Sequence, residues 1–216
     1  METILNRLLR EKIVAIVRGV RLEEIEQTAD ALLTGGVSAL EVTFDQSSPA
    51  AIENTLGSIR CLREKYAADI CLGAGTVLTA EQVRLAQEAG AQYMISPNTD
   101  AEVILAAKTL GCVSIPGAMT PSEAVAAHRA GADIVKLFPA GVLGPAYIKA
   151  MCGPLGFLHY FAVGGINEKN AADFIKAGAC GVGVGGNLVS VKAIRNGEFA
   201  FLTETARAYV QNLNGV

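Results

Sequence analysis

Apolar and polar positions follow one repeating phrase along this chain: an amphipathic stretch at helical spacing, a stop made of small residues, then a short apolar run. The stops read Thr34-Gly35-Gly36-Val37, Ala89-Gly90-Ala91, Leu110-Gly111-Cys112, Ala130-Gly131-Ala132 and Ala177-Gly178-Ala179. Each sets a glycine where a helix ends in the left-handed region. The apolar runs, at about residues 13–17, 38–43, 70–73, 93–96, 112–115, 133–138, 159–163 and 180–184, predict strands. They are short and apolar throughout, as parallel strands covered by helices on the outside should be. Eight strands alternating with helices predict an α/β protein closed into a TIM (β/α)8 barrel, with residues 1–216 as one domain and the segment before Ile13 as a short N-terminal helix across the barrel bottom.

An open doubly wound sheet would place its glycine-rich turn after the first strand. Here the glycine pairs come last, in Val163-Gly164-Gly165-Ile166-Asn167 and Gly183-Val184-Gly185-Gly186-Asn187-Leu188. Those are the ends of the seventh and eighth strands, where barrels of this kind commonly bind phosphate. No linker or low-complexity stretch interrupts the pattern.

Composition narrows the choice of partner. With 51% hydrophobic residues, 23 glycines and a net charge of -3, the chain offers no basic field for nucleic acid. The opening residues mix acid and base where a signal peptide needs an apolar run, and no stretch reaches membrane-spanning length, so a cytoplasmic location is expected. Five scattered cysteines (Cys61, Cys71, Cys112, Cys152 and Cys180) read as reduced and mostly buried, and His128 and His159 have no partners at ligand spacing. No metal or other cofactor is expected, and His128 is expected on a helix surface.

Lys136 breaks the apolar run Ile134-Val135-Lys136-Leu137-Phe138. Burial favours the neutral amine, which makes a desolvated lysine a nucleophile towards carbonyl carbon. Barrel chemistry sits at the C-terminal ends of strands, and polar residues collect there: Arg18, Glu41 with Thr43, Thr76 and Lys136. A Schiff-base lysine needs a partner to move protons, and Glu41 is the candidate. Arg18 offers a bidentate fork for a carboxylate, while Thr76, after glycine, brings a hydroxyl and nearby N–H groups. The Gly164-Gly165 and Gly185-Gly186 turns present unblocked N–H groups to an anion. Pro97 and Phe138 would form an apolar wall that keeps water from an imine. The plainer readings are an inert ion pair of Lys136 with Glu41, an Arg18 that caps helix carbonyls, a Thr76 that caps a helix, and glycines that only make tight turns.

Taken in order, Ile16-Val17-Arg18, Leu40-Glu41-Val42-Thr43, Gly73-Ala74-Gly75-Thr76, Ile95-Ser96-Pro97, Val135-Lys136-Leu137-Phe138-Pro139 and the two glycine pairs resemble the 2-keto-3-deoxy-6-phosphogluconate (KDPG) and 4-hydroxy-2-oxoglutarate aldolase family over nearly the whole chain. The resemblance implies a metal-independent class I aldolase, an aldehyde-lyase of carbohydrate metabolism in the Entner-Doudoroff manner. It implies Lys136 as Schiff-base lysine, Glu41 as acid/base, Arg18 and Thr76 in the carboxylate and substrate pocket, a keto acid phosphate as substrate, and a homotrimer. The reaction implied is cleavage of 2-dehydro-3-deoxy-6-phosphogluconate to pyruvate and glyceraldehyde 3-phosphate, with 4-hydroxy-2-oxoglutarate, cleaved to pyruvate and glyoxylate, as a further substrate. Two positions depart from some members: Asp45 stands where they have an arginine four residues after the glutamate, and Val163 where they have a threonine before the glycine pair. The alternatives are an aldolase for the galactonate epimer or a phosphate-binding barrel isomerase or decarboxylase. The last has no use for an amine nucleophile.

Overall fold

A computed structural model describes residues 2–216. Its strands are β1 (Ile13–Val17), β2 (Ala39–Thr43), β3 (Cys71–Gly75), β4 (Tyr93–Ile95), β5 (Val113–Ile115), β6 (Gly117–Ala118), β7 (Val135–Leu137), β8 (Tyr160–Val163) and β9 (Gly181–Val184). The helices are α1 (Ile4–Glu11), α2 (Ile25–Thr34), α3 (Pro49–Tyr66), α4 (Ala80–Glu88), α5 (Ala101–Thr109), α6 (Pro121–Ala130), α7 (Ala140–Leu143), α8 (Pro145–Leu155), α9 (Ala171–Lys176), α10 (Val191–Arg195) and α11 (Phe199–Asn214).

All strand pairs are parallel, in the order β5-β4-β3-β2-β1-β9-β8-β7-β6. The two ends of that order are halves of one barrel strand. Pro116 has no N–H to give to a ladder and splits it. Across the split, Lys136 N–H donates to the Pro116 carbonyl at 2.9 Å and Asp133 N–H to Ser114 at 3.0 Å, so the ring closes. The nine segments are therefore the eight expected strands, with the fifth broken once.

Strand parity sorts the side chains. Val14 and Ile16, Ala39, Cys71, Tyr93 and Ile95, Val113 and Ile115, Ile134, Phe161 and Val163 form one buried cluster inside the barrel. The alternate residues, among them Ile13, Ala15, Val17, Leu40, Val42, Leu72 and Ala74, pack in the larger cluster beneath the helices. Counting two on from Ala39 and Ile134 puts Glu41 and Lys136 on the interior face. Glycines on that face make room. A Cβ at Gly73 would overlap the Tyr93 ring, and one at Gly75 would overlap the Glu41 carboxylate.

The short N-terminal helix is found where it was expected. Leu8 of α1 is fully buried in the interior cluster, with Ile4, Leu5 and Leu9 packed beside it, and this closes the barrel bottom. Arg7 holds the helix in place by bonding Glu11 at 2.8 Å, Ser38 Oγ at 2.9 Å and the carbonyls of Ala68 and Asp69. The glycine stops also behave as read: Gly36, Gly90, Gly111, Gly131 and Gly178 all have positive φ.

The cysteines depart in part from the expectation. Cys71 and Cys112 are buried, whereas Cys61, Cys152 and Cys180 are half-buried on helices or at strand starts; all five are free thiols. His128 is exposed on α6, edge-on to Phe157.

Candidate active site

At the C-terminal end of the barrel lies a cavity of about 460 Å³. Its lining includes Arg18, Thr76, Pro97, Lys136 and Phe138 on one side and Gly164, Gly165, Gly185 and Gly186 on the other. Every binding residue expected from the sequence is there, whereas Glu41, buried on the interior face of β2, is not among the lining residues.

Lys136 is 6% exposed and Glu41 1%. Among the described residues neither side chain forms a hydrogen bond or an ion pair, and Glu41 Oε2 is buried without any partner. An inert neutralising pair is thus not what the barrel contains. Burial pushes the Glu41 carboxyl up, against the opposing pull of Lys136 and Arg18. Burial likewise lowers the Lys136 ammonium; Glu41 opposes this and the Arg18 charge reinforces it. Both directions favour the uncharged forms, which for lysine is the nucleophile. The Phe138 ring stands 5.1 Å from Lys136 Nζ. Pro97 and Phe138 both line the cavity.

Arg18 is exposed at the end of β1, and its Nη2 donates to Thr76 Oγ1 at 3.3 Å. Thr76 is one of few non-glycine residues with positive φ, 55°. It does not cap α4; Thr79 does, accepting from Gln82 N–H at 3.1 Å. Thr43, at the end of β2, is spent on structure, with its hydroxyl donating to the Val17 carbonyl at 3.3 Å.

The glycine turns are wired so that carbonyls face away from the cavity while N–H groups stay free. Gly164 O accepts from Gly141 N–H at 2.7 Å, Gly165 O from Asn170 Nδ2 at 3.0 Å and Ile166 O from Asn187 Nδ2 at 2.7 Å. No acceptor among the described residues takes the N–H groups of Gly165, Ile166, Gly186 or Asn187. A nest of bare donors of this kind is chemically suited to an anion. Gly164 and Gly165 have φ of 89° and 76°, and a Cβ on Gly164 would press on the Phe138 ring, so both need glycine.

The sequence reading missed Ile16, Ile166 and Asn187 as lining residues. Ile16 follows from strand parity, whereas the Asn187 bond that joins the two turns links residues with no local signal. Asp45 is exposed and does not line the cavity. Val163 does, and it presents methyl groups there. A larger surface groove of about 690 Å³ between α2 and α3 is lined in part by Glu26 and Lys65, which bond each other at 2.8 Å. Among the described residues, no cluster of three or more His, Cys, Asp or Glu side chains is placed to hold a metal, and no helix is long and apolar enough to cross a membrane.

Residues 4–205 match the family described as KDPG and KHG aldolase. The chain belongs to this family. It is 40% identical to a probable 2-dehydro-3-deoxy-6-phosphogalactonate aldolase of Rhizobium meliloti, over 83% of this chain and 82% of that one. It is 34% identical to the 2-dehydro-3-deoxy-phosphogluconate aldolase of Treponema pallidum, over 98% of both. Among solved structures, the KDPG aldolase of Legionella pneumophila, with pyruvate captured as a covalent carbinolamine, superposes with a TM-score of 0.86 at 28% identity, covering 96% of this chain and 98% of that one.

Proposed function

We propose that the protein is a class I aldolase that cleaves 2-dehydro-3-deoxy-6-phosphogluconate to pyruvate and glyceraldehyde 3-phosphate, and that 4-hydroxy-2-oxoglutarate, cleaved to pyruvate and glyoxylate, is a further substrate. One observation carries this reading: the Lys136 side chain is buried in the lining of an open cavity with no hydrogen-bond partner among the described residues, and the Glu41 carboxyl whose charge acts on it is equally unpartnered.

The neutral Lys136 amine attacks the keto carbon and gives a carbinolamine, and the protonated Glu41 gives its proton to the departing hydroxyl, so that water leaves, an iminium forms and Glu41 becomes a carboxylate. The iminium draws in the electron pair as the bond between C3 and C4 breaks, while Glu41 takes the proton of the C4 hydroxyl and the aldehyde leaves. Glu41 then returns a proton to C3 of the enamine, and water releases pyruvate from Lys136. Arg18 and Thr76 hold the carboxylate of the keto acid. The N–H groups of the two glycine turns hold the phosphate, at a distance from Lys136 set by the width of the cavity. The whole chain acts as one domain, works in the cytoplasm and assembles as a homotrimer.

A second reading has a specific observation behind it. Val163 puts an apolar side chain beside the glycine pair, where a threonine hydroxyl would bond a substrate hydroxyl or phosphate, and the phosphogalactonate relative is the more identical of the two curated ones. This favours the galactonate epimer as an alternative or additional substrate.

The test is borohydride reduction in the presence of pyruvate, read by mass spectrometry of the peptides. A pyruvyl adduct on Lys136 supports the aldolase reading, and kcat/KM for the two epimers then ranks the substrates. A folded protein that gives no adduct overturns it.

A further inference from the structure

We propose that Gln46, seated by Gln82, is a positioning residue for the carboxylate end of the active site; the inference rests on the aldolase reading above. The chain leaves β2 through Phe44-Asp45-Gln46-Ser47. Asp45 Oδ1 accepts from Ser47 N–H at 2.9 Å, which closes an Asx turn and keeps the acid in solvent. The next residue is thereby delivered to the neighbouring loop. Gln46 Nε2 donates to the Thr76 carbonyl at 2.9 Å, and Gln46 Oε1 accepts from Gln82 Nε2 at 2.8 Å. Gln82 is 8% exposed, and its own Oε1 accepts from Leu78 N–H at 2.8 Å. Both side-chain amides use both of their ends.

This relay brackets one peptide. The Thr76 carbonyl is held by Gln46, and the N–H of the same peptide unit, that of Val77, donates to the Ile95 carbonyl at 3.1 Å. The plane that follows Thr76 is fixed from both sides. Thr76 needs this, because a β-branched residue at a φ of 55° sits in a region it would otherwise leave. Held there, it keeps its hydroxyl on Arg18 Nη2 and its own N–H unbonded at the cavity wall. Released to extended backbone, Thr76 would carry the hydroxyl away from Arg18, and the carboxylate would lose a converged pair of donors. Gln46 touches no substrate. It acts through Thr76.

The experiment is the pyruvate dependence of borohydride trapping on Lys136, alongside steady-state cleavage, for wild type, Gln46→Ala, Gln46→Glu, Gln82→Ala and the double alanine variant. Gln46→Ala is expected to raise the half-saturating pyruvate concentration about ten-fold, the size of one lost hydrogen bond to an ordered group. Maximal trapping and the melting temperature should stay as in wild type, and KM should move more than kcat. Gln46→Glu, which keeps the size and loses the donor, should match the alanine variant. The double variant should be no worse than either single one, since the two amides are links of one chain. Unchanged half-saturation in Gln46→Ala or Gln46→Glu, or a fall in kcat alone, overturns the proposal. A wild-type protein that traps no pyruvate overturns the aldolase reading itself, which is a different result from a wild type that traps and a variant that traps equally well.

Discussion

The barrel holds charge at both ends, half-buried at the bottom and buried at the mouth, and the two ends treat it in opposite ways. At the bottom, Arg7 spends its guanidinium on Glu11, Ser38 and the carbonyls of Ala68 and Asp69, and Ser38 Oγ donates to Glu11 at 2.7 Å. At the mouth, Lys136 and Glu41 share the interior face, yet the described residues supply neither side chain with a hydrogen bond. Charge with saturated partners holds an element in place. Charge with withheld partners keeps its reactivity for something that enters later, and the fold bears its desolvation. Even the bottom is not wholly satisfied, since Glu11 Oε2 lacks a partner; its Oε1 takes both bonds, and this is the difference from Glu41.

The largest effect should come from Lys136→Arg. Arginine keeps a cation on the interior face but cannot form an imine, so trapping and turnover should vanish while the far-ultraviolet circular dichroism stays native. Turnover by that variant would make the mouth a second structural cluster. Next in size is Glu41→Gln, which should slow cleavage about a hundred-fold or more, as expected for loss of a positioned acid/base, with the Lys136 adduct still trappable on long incubation. Wild-type kcat in Glu41→Gln would remove Glu41 from the mechanism.

The contrast between the two ends was partly legible in the sequence. Lys136 stood out because an ammonium inside Ile134-Val135-Lys136-Leu137-Phe138 violates the apolar pattern of a covered strand, and strand parity then gave its depth. The glycine pairs stood out as candidate anion-binding turns because glycine there serves no helix end. The split of the fifth strand at Pro116 was missed: strand 112–115 reads as complete, and Gly117-Ala118 is too short to signal itself. Gln46 and Asn187 were missed as parts of the site for another reason. Each acts through a single bond to a residue 30 or 21 positions away, Thr76 or Ile166, and such a bond has no period or motif. Arg7, too, gave no sign of its role as the latch of α1.

At the bottom, Arg7→Ala should cost about 2 kcal/mol, the scale of losing hydrogen bonds to a charged group, read as a lower denaturation midpoint. Activity per folded molecule should be unchanged, because the latch is at the opposite end from the cavity. An equal loss of kcat and stability would mean that the two ends are coupled. Asn187→Ala should leave stability nearly untouched and raise KM for the phosphorylated substrate several-fold, about 1 kcal/mol for one bond that orders the turns. It should leave pyruvate trapping alone, since pyruvate carries no phosphate.

The smallest effect, and the sharpest separation of the two ends, lies in how stability depends on pH. Glu41 has its carboxyl raised by burial, so the folded state binds more protons than the unfolded chain once the pH exceeds the ordinary 4.5, and stability falls as the pH climbs towards the raised value. Lys136 has its ammonium lowered by burial, so the folded state binds fewer protons below the ordinary 10.5, and stability falls as the pH drops through that window towards the lowered value. Both costs are therefore present around neutrality. A Lys136→Met, Glu41→Leu double variant removes them together and should be more stable than wild type there by about 1 kcal/mol, within the range seen when buried ion pairs are replaced by apolar side chains. Its advantage should shrink towards acid, where Glu41 is protonated in both states, and towards alkali, where Lys136 is neutral in both. If the double variant is instead destabilised at neutral pH, the pair at the mouth contributes to the fold as Arg7 does at the bottom, and the distinction between the two ends fails.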